Sequence, residues 1–431
     1  MATAATTSTA PPRRLSGITR LFVVIAVYMP YHSHYSVVLP LKGLNVLNLM
    51  FLACLFGVIA RNDKGRAPES APYKGNFIVL LTAITVAFVI AVLGGTPDFV
   101  DEVTYWKNCL FYPLFYFLAF HAIRDRESIR ACFWAILFSA FLVSLQCVRQ
   151  GLDYGFGNFD WSRRASGPFS SEATGANIAA AFFIIYTPIF VTVWITCKTH
   201  WFARLASIPG AVLGVVGVLA TFSRQAMVVV PLLLLAQAIR GSRVIMVALV
   251  IAGAGYQLWL PQGIIDRIEM TATQNDKGEE ELDESTFHRF EIWAAASQMI
   301  LQKPWGVGPG RFSAEIGKYN PQFAKVDAHN GFVLLTAESG IVATVAFVAL
   351  VIRFALMGRR IRKLDPGEDS QMLGGAIFIA SIGVLCSNLF GSRLFNGEVM
   401  GDYWILAGLV ARYAVILREE RAAAKAAALP S

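Results

Sequence analysis

Charge is what this chain lacks. Only 15% of its 431 residues are charged, while 55% are hydrophobic. An ordinary globular protein carries about 25% charged residues, so there is too little polar surface here to cover a soluble body. Cysteine is scarce as well. The six thiols (Cys54, Cys109, Cys132, Cys147, Cys197, Cys386) fall in or at the ends of apolar segments, with none in the one large polar loop and no CxxC pair. That argues against a disulfide framework or a cysteine zinc site and leaves buried, inert thiols. No low-complexity basic arm and no interleaved aromatic–basic patch accompanies the net charge of +8, so no nucleic-acid partner is expected. There is no internal repeat and no separate soluble domain. His32 and His34 in "YHSHY" come nearest to a metal pair, but further ligands at recognisable spacing are missing. With no DxD-like or His/Asp cluster either, neither a metal nor any other cofactor is expected.

What is present is apolar runs long enough to cross a bilayer, recurring along nearly the whole chain. The fold class is therefore an all-α polytopic membrane protein of about 12 transmembrane helices. Spans are expected near 18–38, 44–60, 76–94, 108–123, 129–148, 174–197, 203–222, 225–240, 243–260, 331–355, 372–390 and 400–417. Residues 203–240 are almost uninterruptedly apolar. As one helix they would reach roughly 55 Å, nearly twice the hydrocarbon thickness. The run must fold back at its polar break, "TFSRQA" (221–226), which puts Arg224 at a hairpin tip. The first apolar run follows basic residues and precedes no small-x-small cleavage site, which reads as an uncleaved span.

The basic residues sort by side. With the N-terminus inside, the N-terminal arginines, the loops around 61–74, 124–130, 198–204, 240–243 and 353–363, and the C-terminal tail hold 22 of the 37 Lys and Arg residues. The opposite side receives the loop 149–173 and a loop of about 70 residues, 261–330, with seven basic and eleven acidic residues. The positive-inside rule then places both long loops in the periplasm or exterior. The expected organisation is transmembrane helices 1–9 over 1–260, a periplasmic loop over 261–330, and helices 10–12 with a cytoplasmic tail over 331–431. Within the loop, "DESTFHRFEIWAAASQMILQKPWG" (283–306) opens on Asp and Ser cap residues and ends at Lys303-Pro304. Phe290, Trp293 and Ile300 give it an apolar face, so it reads as an amphipathic helix lying on the membrane face or on the tops of the spans. A glycine-rich turn, "GVGPGRF" (306–312), follows.

The chemistry-bearing residues gather on the outward side: Arg224, Arg289 in the amphipathic helix, Arg163 and Arg164 in "DWSRRASGPFSSE", and His329-Asn330 where the tenth span begins. Each has an ordinary reading alone. Arg224 and Arg289 could reach lipid phosphates, and His329 could be a hydrogen-bonding surface group. Glu338, about two and a half turns deeper, is an in-membrane carboxylate that needs a partner, and structural pairing is favoured over catalysis there. Together the set is more specific. Guanidinium groups bind phosphate in a forked geometry and stabilise charge on a departing pyrophosphate. A histidine with an unperturbed pKa near 6.5 can take the proton of an attacking hydroxyl at neutral pH.

The order "HRFEIW" (288–293), "KPWGVGPGRF" (303–312) and "AHNGFVLLTAESG" (328–340) resembles the signature region of the O-antigen ligase and polymerase superfamily. "TFSRQA" resembles that family's Ser-Arg hairpin, and "SGPFSSEATGANIAA" (166–180) the segment entering its sixth span. The likeness covers roughly 160–345. Gln225 stands where family members often carry Gly, and the acidic stretch "NDKGEEELDE" (275–284) looks private to this chain; neither is expected to touch the reactive groups. The resemblance implies a GT-C-like glycosyltransferase of the bacterial inner membrane with its site facing the periplasm. It would move a polysaccharide from undecaprenyl pyrophosphate to a lipid A–core hydroxyl, inverting the anomeric centre without metal or nucleotide. Arg224 and Arg289 would hold the pyrophosphate and His329 would act as base. Arg163, Arg164, Asn330 and Glu338 would contact or orient the substrates. Two relatives of this chemistry stay open: an O-antigen polymerase, with a second lipid-linked glycan as acceptor, and a protein O-oligosaccharyltransferase. A twelve-span transporter or flippase is disfavoured, since its binding residues would sit at the midplane in two related halves.

Overall fold

The computed structural model describes residues 14–35, 37, 44–61, 69–96, 98–157, 159–169, 173–269, 272–274, 280–282 and 284–428. Every expected span is a helix. They are α1 (Gly17–Tyr28, prolonged by a 3-10 turn to Tyr31), α2 (Val46–Ile59), α3 (Lys74–Leu93), α4 (Phe99–Ala122), α5 (Arg126–Tyr154), α6 (Ala173–Thr196), α7 (Trp201–Ala220), α8 (Arg224–Gly241) and α9 (Arg243–Ala254). After a long connection come α14 (Gly331–Leu364), α15 (Glu368–Ser387) and α16 (Gly397–Ala427). Seven of these (α3, α5, α6, α7, α14, α15, α16) have the length and hydropathy to cross a membrane. The apolar stretches of α1, α2, α8 and α9 are shorter, and α4 starts nine residues earlier than expected, with Asp101, Glu102 and Lys107 in its opening turns. The protein is a multi-pass membrane protein whose spans are all helical.

Packing follows from small and aromatic residues. On α7, Gly210, Gly214 and Gly217 face Phe190, Thr187 and Phe183 of α6, and a Cβ on Gly217 would come within 2.6 Å of the Phe183 ring. Such a stripe of small residues is how helices approach closely where lipid offers no hydrophobic drive. At the centre, buried Trp404 of α16 meets Phe77 of α3 at 5.7 Å and Phe347 of α14 at 6.1 Å between ring centroids. α14 lies against α3 and α15, and α15 against α6.

The helix ends sort into two sets. At one end, Arg126 bonds Glu420, Arg130 bonds Asp369, Arg412 bonds Glu69 and Glu368 accepts from the backbone of Lys198. These all belong to loops expected on the basic side. At the other end lie the residues of the cleft described below.

The connection 255–330 contains α10 (Tyr256–Trp259), α11 (Gln262–Glu269), a two-stranded antiparallel ribbon of β1 (Ala272–Gln274) and β2 (Glu280–Leu282), α12 (Glu284–Gln302) and α13 (Phe312–Glu315). It has its own small core of Ile292, Ala296 and Met299 against Val307, Phe312, Ile316 and Phe323. The buried face of α12 therefore differs from the expected stripe. Phe290 is half exposed and Trp293 and Ile300 only partly buried, because the helix packs on the returning chain and on α14 rather than laying its largest residues on lipid. Of the acidic stretch 275–284, residues 275–279 and 283 lie outside the described residues.

Candidate active site

The glycine turn and the start of α14 hold each other in place. Gly306, Gly308 and Gly310 all have positive φ (93°, 106° and 82°), a conformation that costs other residues steric strain. Val307 and Gly308 donate backbone N–H bonds to the carbonyls of Ala337 and Glu338 (2.9 and 3.0 Å), where α14 breaks at Gly340 (φ 80°, ψ 165°). The Glu338 carboxylate is buried and accepts from the Phe312 N–H at 3.2 Å. It is a staple between the turn and α14, away from the cleft. Asn330 caps α14, its Oδ1 accepting from the N–H groups of Phe332 (2.9 Å) and Val333 (3.1 Å), so that amide is occupied in starting the helix.

This scaffold presents His329. The residue has φ 49°, sits between the Asn330 cap and a Trp293 Nε1–H bond to the Ala328 carbonyl (2.8 Å), and is followed by Gly331, whose N–H donates to the Asn388 carbonyl (2.9 Å). The Trp293 bond ties α12 to the histidine turn, and Arg289 lies one helical turn before Trp293. His329, Arg289, Arg224 and Arg164 all line one cleft of ≈ 80 Å³. Arg224 opens α8, just after Phe222 (φ 49°) and Ser223.

Arg164 enters through the loop 155–172. The Gln150 side chain accepts from the N–H groups of Ser166 and Gly167 (3.0 and 2.8 Å) and pins that loop to α5. Arg164 then donates Nε–H to the Thr221 carbonyl and Nη2–H to Asn177 Oδ1, both at 2.8 Å. Its neighbour Arg163 points away, its side chain 67% exposed, with Asp160 at 3.8 Å. Arg163 ends a turn, its N–H donating back to the Asp160 carbonyl (3.1 Å), and the chain leaves that turn with Arg164 inside and Arg163 in solvent.

Two further arginines line the cleft that sequence reasoning did not single out. Arg267 of α11 is 7% exposed and lies over the rings of Phe159 (4.3 Å) and Trp161 (4.6 Å). Arg393, in the turn between α15 and α16, takes its backbone position from a bond to Asn388 Oδ1 (2.9 Å). Its Nε is buried with no hydrogen-bond partner among the described residues. Arg393 was findable by the argument that flagged Arg224, an arginine on the side where basic residues are depleted. Arg267 carries no such signal, sitting in a loop with six other basic residues. Gln225, expected to stand apart from the reactive groups, also lines the cleft, and its Nε2–H bond to the Cys386 carbonyl (2.6 Å) joins α8 to α15.

Five guanidiniums and one imidazole thus share one small space, and among the described residues no carboxylate lines it. Crowding shows in their acidities. Burial, then the neighbouring Arg267 charge, lowers the Arg164 pKa to about 10; burial lowers that of Arg393. Burial also pushes the His329 pKa below its ordinary value, helped by Arg289 and Arg393 and opposed by Asp327, whose carboxylate is 3.8 Å from Nδ1. His329 is therefore neutral at neutral pH, as a general base must be. At the other end of α1, the His32 ring nitrogens contact the Met29 carbonyl (2.7 Å) and the Tyr112 hydroxyl (2.9 Å).

Residues 209–348 match the family model described as O-antigen ligase. That segment, about a third of the chain, is similar to the O-antigen ligase family. That family's members are glycosyltransferase-like enzymes with polysaccharide and lipid substrates. The matched segment supplies Arg224, Arg267, Arg289, the glycine turn and His329, while Arg164 and Arg393 join the cleft from outside it. A comparison with curated proteins finds no match.

Proposed function

We propose that this protein is an O-antigen ligase of the bacterial inner membrane, with the arginine cleft facing the periplasm. It transfers a polysaccharide from undecaprenyl pyrophosphate to a hydroxyl of lipid A–core. The observation that carries this reading is the convergence of five guanidiniums and a neutral histidine on one cleft. Such a space calls for a ligand with several negative charges on one compact group, and a diphosphate ester has them. The diphosphate would sit among the guanidiniums, with the glycan directed toward water and the lipid tail toward lipid.

In the reaction, His329 takes the proton of the acceptor hydroxyl as its oxygen attacks the anomeric carbon. The bond from that carbon to the diphosphate oxygen breaks, and undecaprenyl pyrophosphate leaves with the electron pair. Attack from the face opposite the leaving group inverts the centre. Asp327 steadies the imidazolium as it forms, and the arginines take up the charge developing on the diphosphate. The donor is already activated, so the chemistry needs no nucleotide. His329 and Arg393 both stand at the starts of helices whose other ends lie on the basic side, which suits reacting headgroups held at one membrane surface.

The test is the lipopolysaccharide profile of cells lacking the native gene and carrying either wild type or His329→Ala. Wild type should restore the polymer ladder, and the variant should lose it while undecaprenyl-linked polymer accumulates. Core capped by a single repeat in the variant would show a polymerase instead, and an unchanged ladder would remove His329 from the mechanism.

A further inference from the structure

At the end of the bundle opposite the arginine cleft, a second pocket opens between α14 and α16. It has a volume of ≈ 390 Å³ and walls of Met357, Ile361, Leu364 and Leu417, with Arg360, Arg418 and Arg421 at its rim. At 1.5 Å per helical residue, Arg360 lies about 40 Å along α14 from the cleft. On the orientation proposed above, this is the cytoplasmic leaflet.

The pocket is built rather than incidental. Its floor is Tyr73, in the left-handed conformation (φ 61°), in a segment fixed by the Tyr116 hydroxyl donating to the Pro72 carbonyl at 2.6 Å. The Tyr73 ring stacks edge-on against Phe354 (5.9 Å), and the Arg353 guanidinium lies 5.8 Å from its centroid. Arg353, Arg360 and Arg418 all stand close enough to the Tyr73 hydroxyl for their charges to act on it. Three carboxylates at this end have other partners, although the Arg421 charge also acts on Asp365. Glu420 holds Arg126, Glu69 holds Arg412, and Asp365 accepts from the Ser370 hydroxyl and the Gly367 N–H. No ion pair joins Arg360, Arg418 or Arg421 to a carboxylate among the described residues.

We infer that this pocket binds an anionic phospholipid of the adjoining leaflet, its phosphate among the arginines and an acyl chain along the apolar wall. Basic pockets between transmembrane helices on the cytoplasmic side suit such headgroups. A zwitterionic lipid would bring an ammonium toward several guanidiniums, and a free anion would leave the apolar walls wet. The lipid would join the far ends of the two helices whose near ends carry the turns of His329 and Arg393.

The test uses the full-length protein in dodecyl maltoside with added phosphatidylglycerol, phosphatidylcholine or inorganic phosphate. Phosphatidylglycerol should raise the melting temperature in a saturable way and remain bound in native mass spectrometry, while the other two should do neither. The triple variant Arg360→Gln/Arg418→Gln/Arg421→Gln should retain the lipid about tenfold less well, from loss of charge-assisted contacts. The pair Arg359→Gln/Lys363→Gln, on the same helix end but outside the pocket, should behave as wild type. Equal effects of phosphatidylcholine or phosphate, or an equal loss in that control pair, would overturn the proposal. Should the triple variant fail to fold, a photoactivatable phosphatidylglycerol on wild-type protein decides the matter. Crosslinks within 357–364 and 414–421 support the site, and crosslinks elsewhere refute it.

Discussion

Replacing Arg267 by Gln removes one of the five cleft cations. A hydrogen bond from a charged group contributes about 1.5–3 kcal/mol, and each 1.4 kcal/mol is about tenfold in binding, so the donor should bind roughly 10- to 150-fold more weakly. Relief of the neighbouring cation could in principle compensate, because the Arg267 charge helps hold the Arg164 pKa down to about 10. It does not, since Arg164 is protonated at neutral pH with or without that neighbour. Arg267→Lys keeps the charge but loses the flat stack on Phe159 and Trp161, and should fall between the two. The assay is steady-state transfer in detergent from a lipid-pyrophosphate-linked glycan, with KM and kcat taken separately. A rise in KM alone means that Arg267 holds the diphosphate equally before and during bond breaking; an equal fall in kcat and kcat/KM means that it acts on the leaving group. Arg163→Gln is the control, as an exposed arginine with only a surface ion pair. A folded Arg267→Gln protein with both constants within about twofold of wild type would refute the assignment of that cation.

Other outcomes follow from the same geometry. His329→Ala should lower turnover by about 10²–10⁴-fold while leaving donor binding, read by pyrophosphate-induced thermal stabilisation, near wild type. The rate should fall as pH drops through a His329 pKa that lies below its ordinary value near 6.5. Asp327 raises that pKa, so Asp327→Asn should move the acidic limb of the pH profile to still lower pH, and a shift upward would contradict the assignment. Gly306→Ala places a Cβ against the Glu338 carbonyl at φ 93° and should destabilise by at least about 1–3 kcal/mol. Gly157→Ala meets nothing nearby and should leave the melting temperature unchanged.

Much of this was legible in the sequence, for reasons that can be named. Hydropathy located a helix at every expected span, seven of them long and apolar enough to cross a membrane, because the bilayer dictates both length and composition. The break at "TFSRQA" was readable because no single helix of that length fits. α4 was drawn too short, since its polar opening turns are hidden in a hydropathy window. Arg164 was distinguished from Arg163 only by structure, because the Gln150 and Thr221 contacts that turn one inward come from distant segments. The Glu338 staple was partly visible, as a membrane carboxylate needing a partner, but its partners are the backbone N–H groups of Gly310 and Phe312 and the Tyr105 side chain from the distant α4, which spacing does not reveal. Arg267 joins the cleft through tertiary stacking on aromatic rings from another loop, beyond the reach of spacing rules.

The central claim is that the arginine cleft and His329 perform glycan transfer from a lipid diphosphate. The most direct measurement is transfer by the purified protein in detergent, from undecaprenyl-pyrophosphate-linked glycan to lipid A–core, with no ion gradient and no nucleotide present. Product formation by wild type, with its loss in His329→Ala at preserved donor binding, is the expected result. Absence of product from a folded protein that still binds both lipids, or undiminished product from His329→Ala, would contradict it.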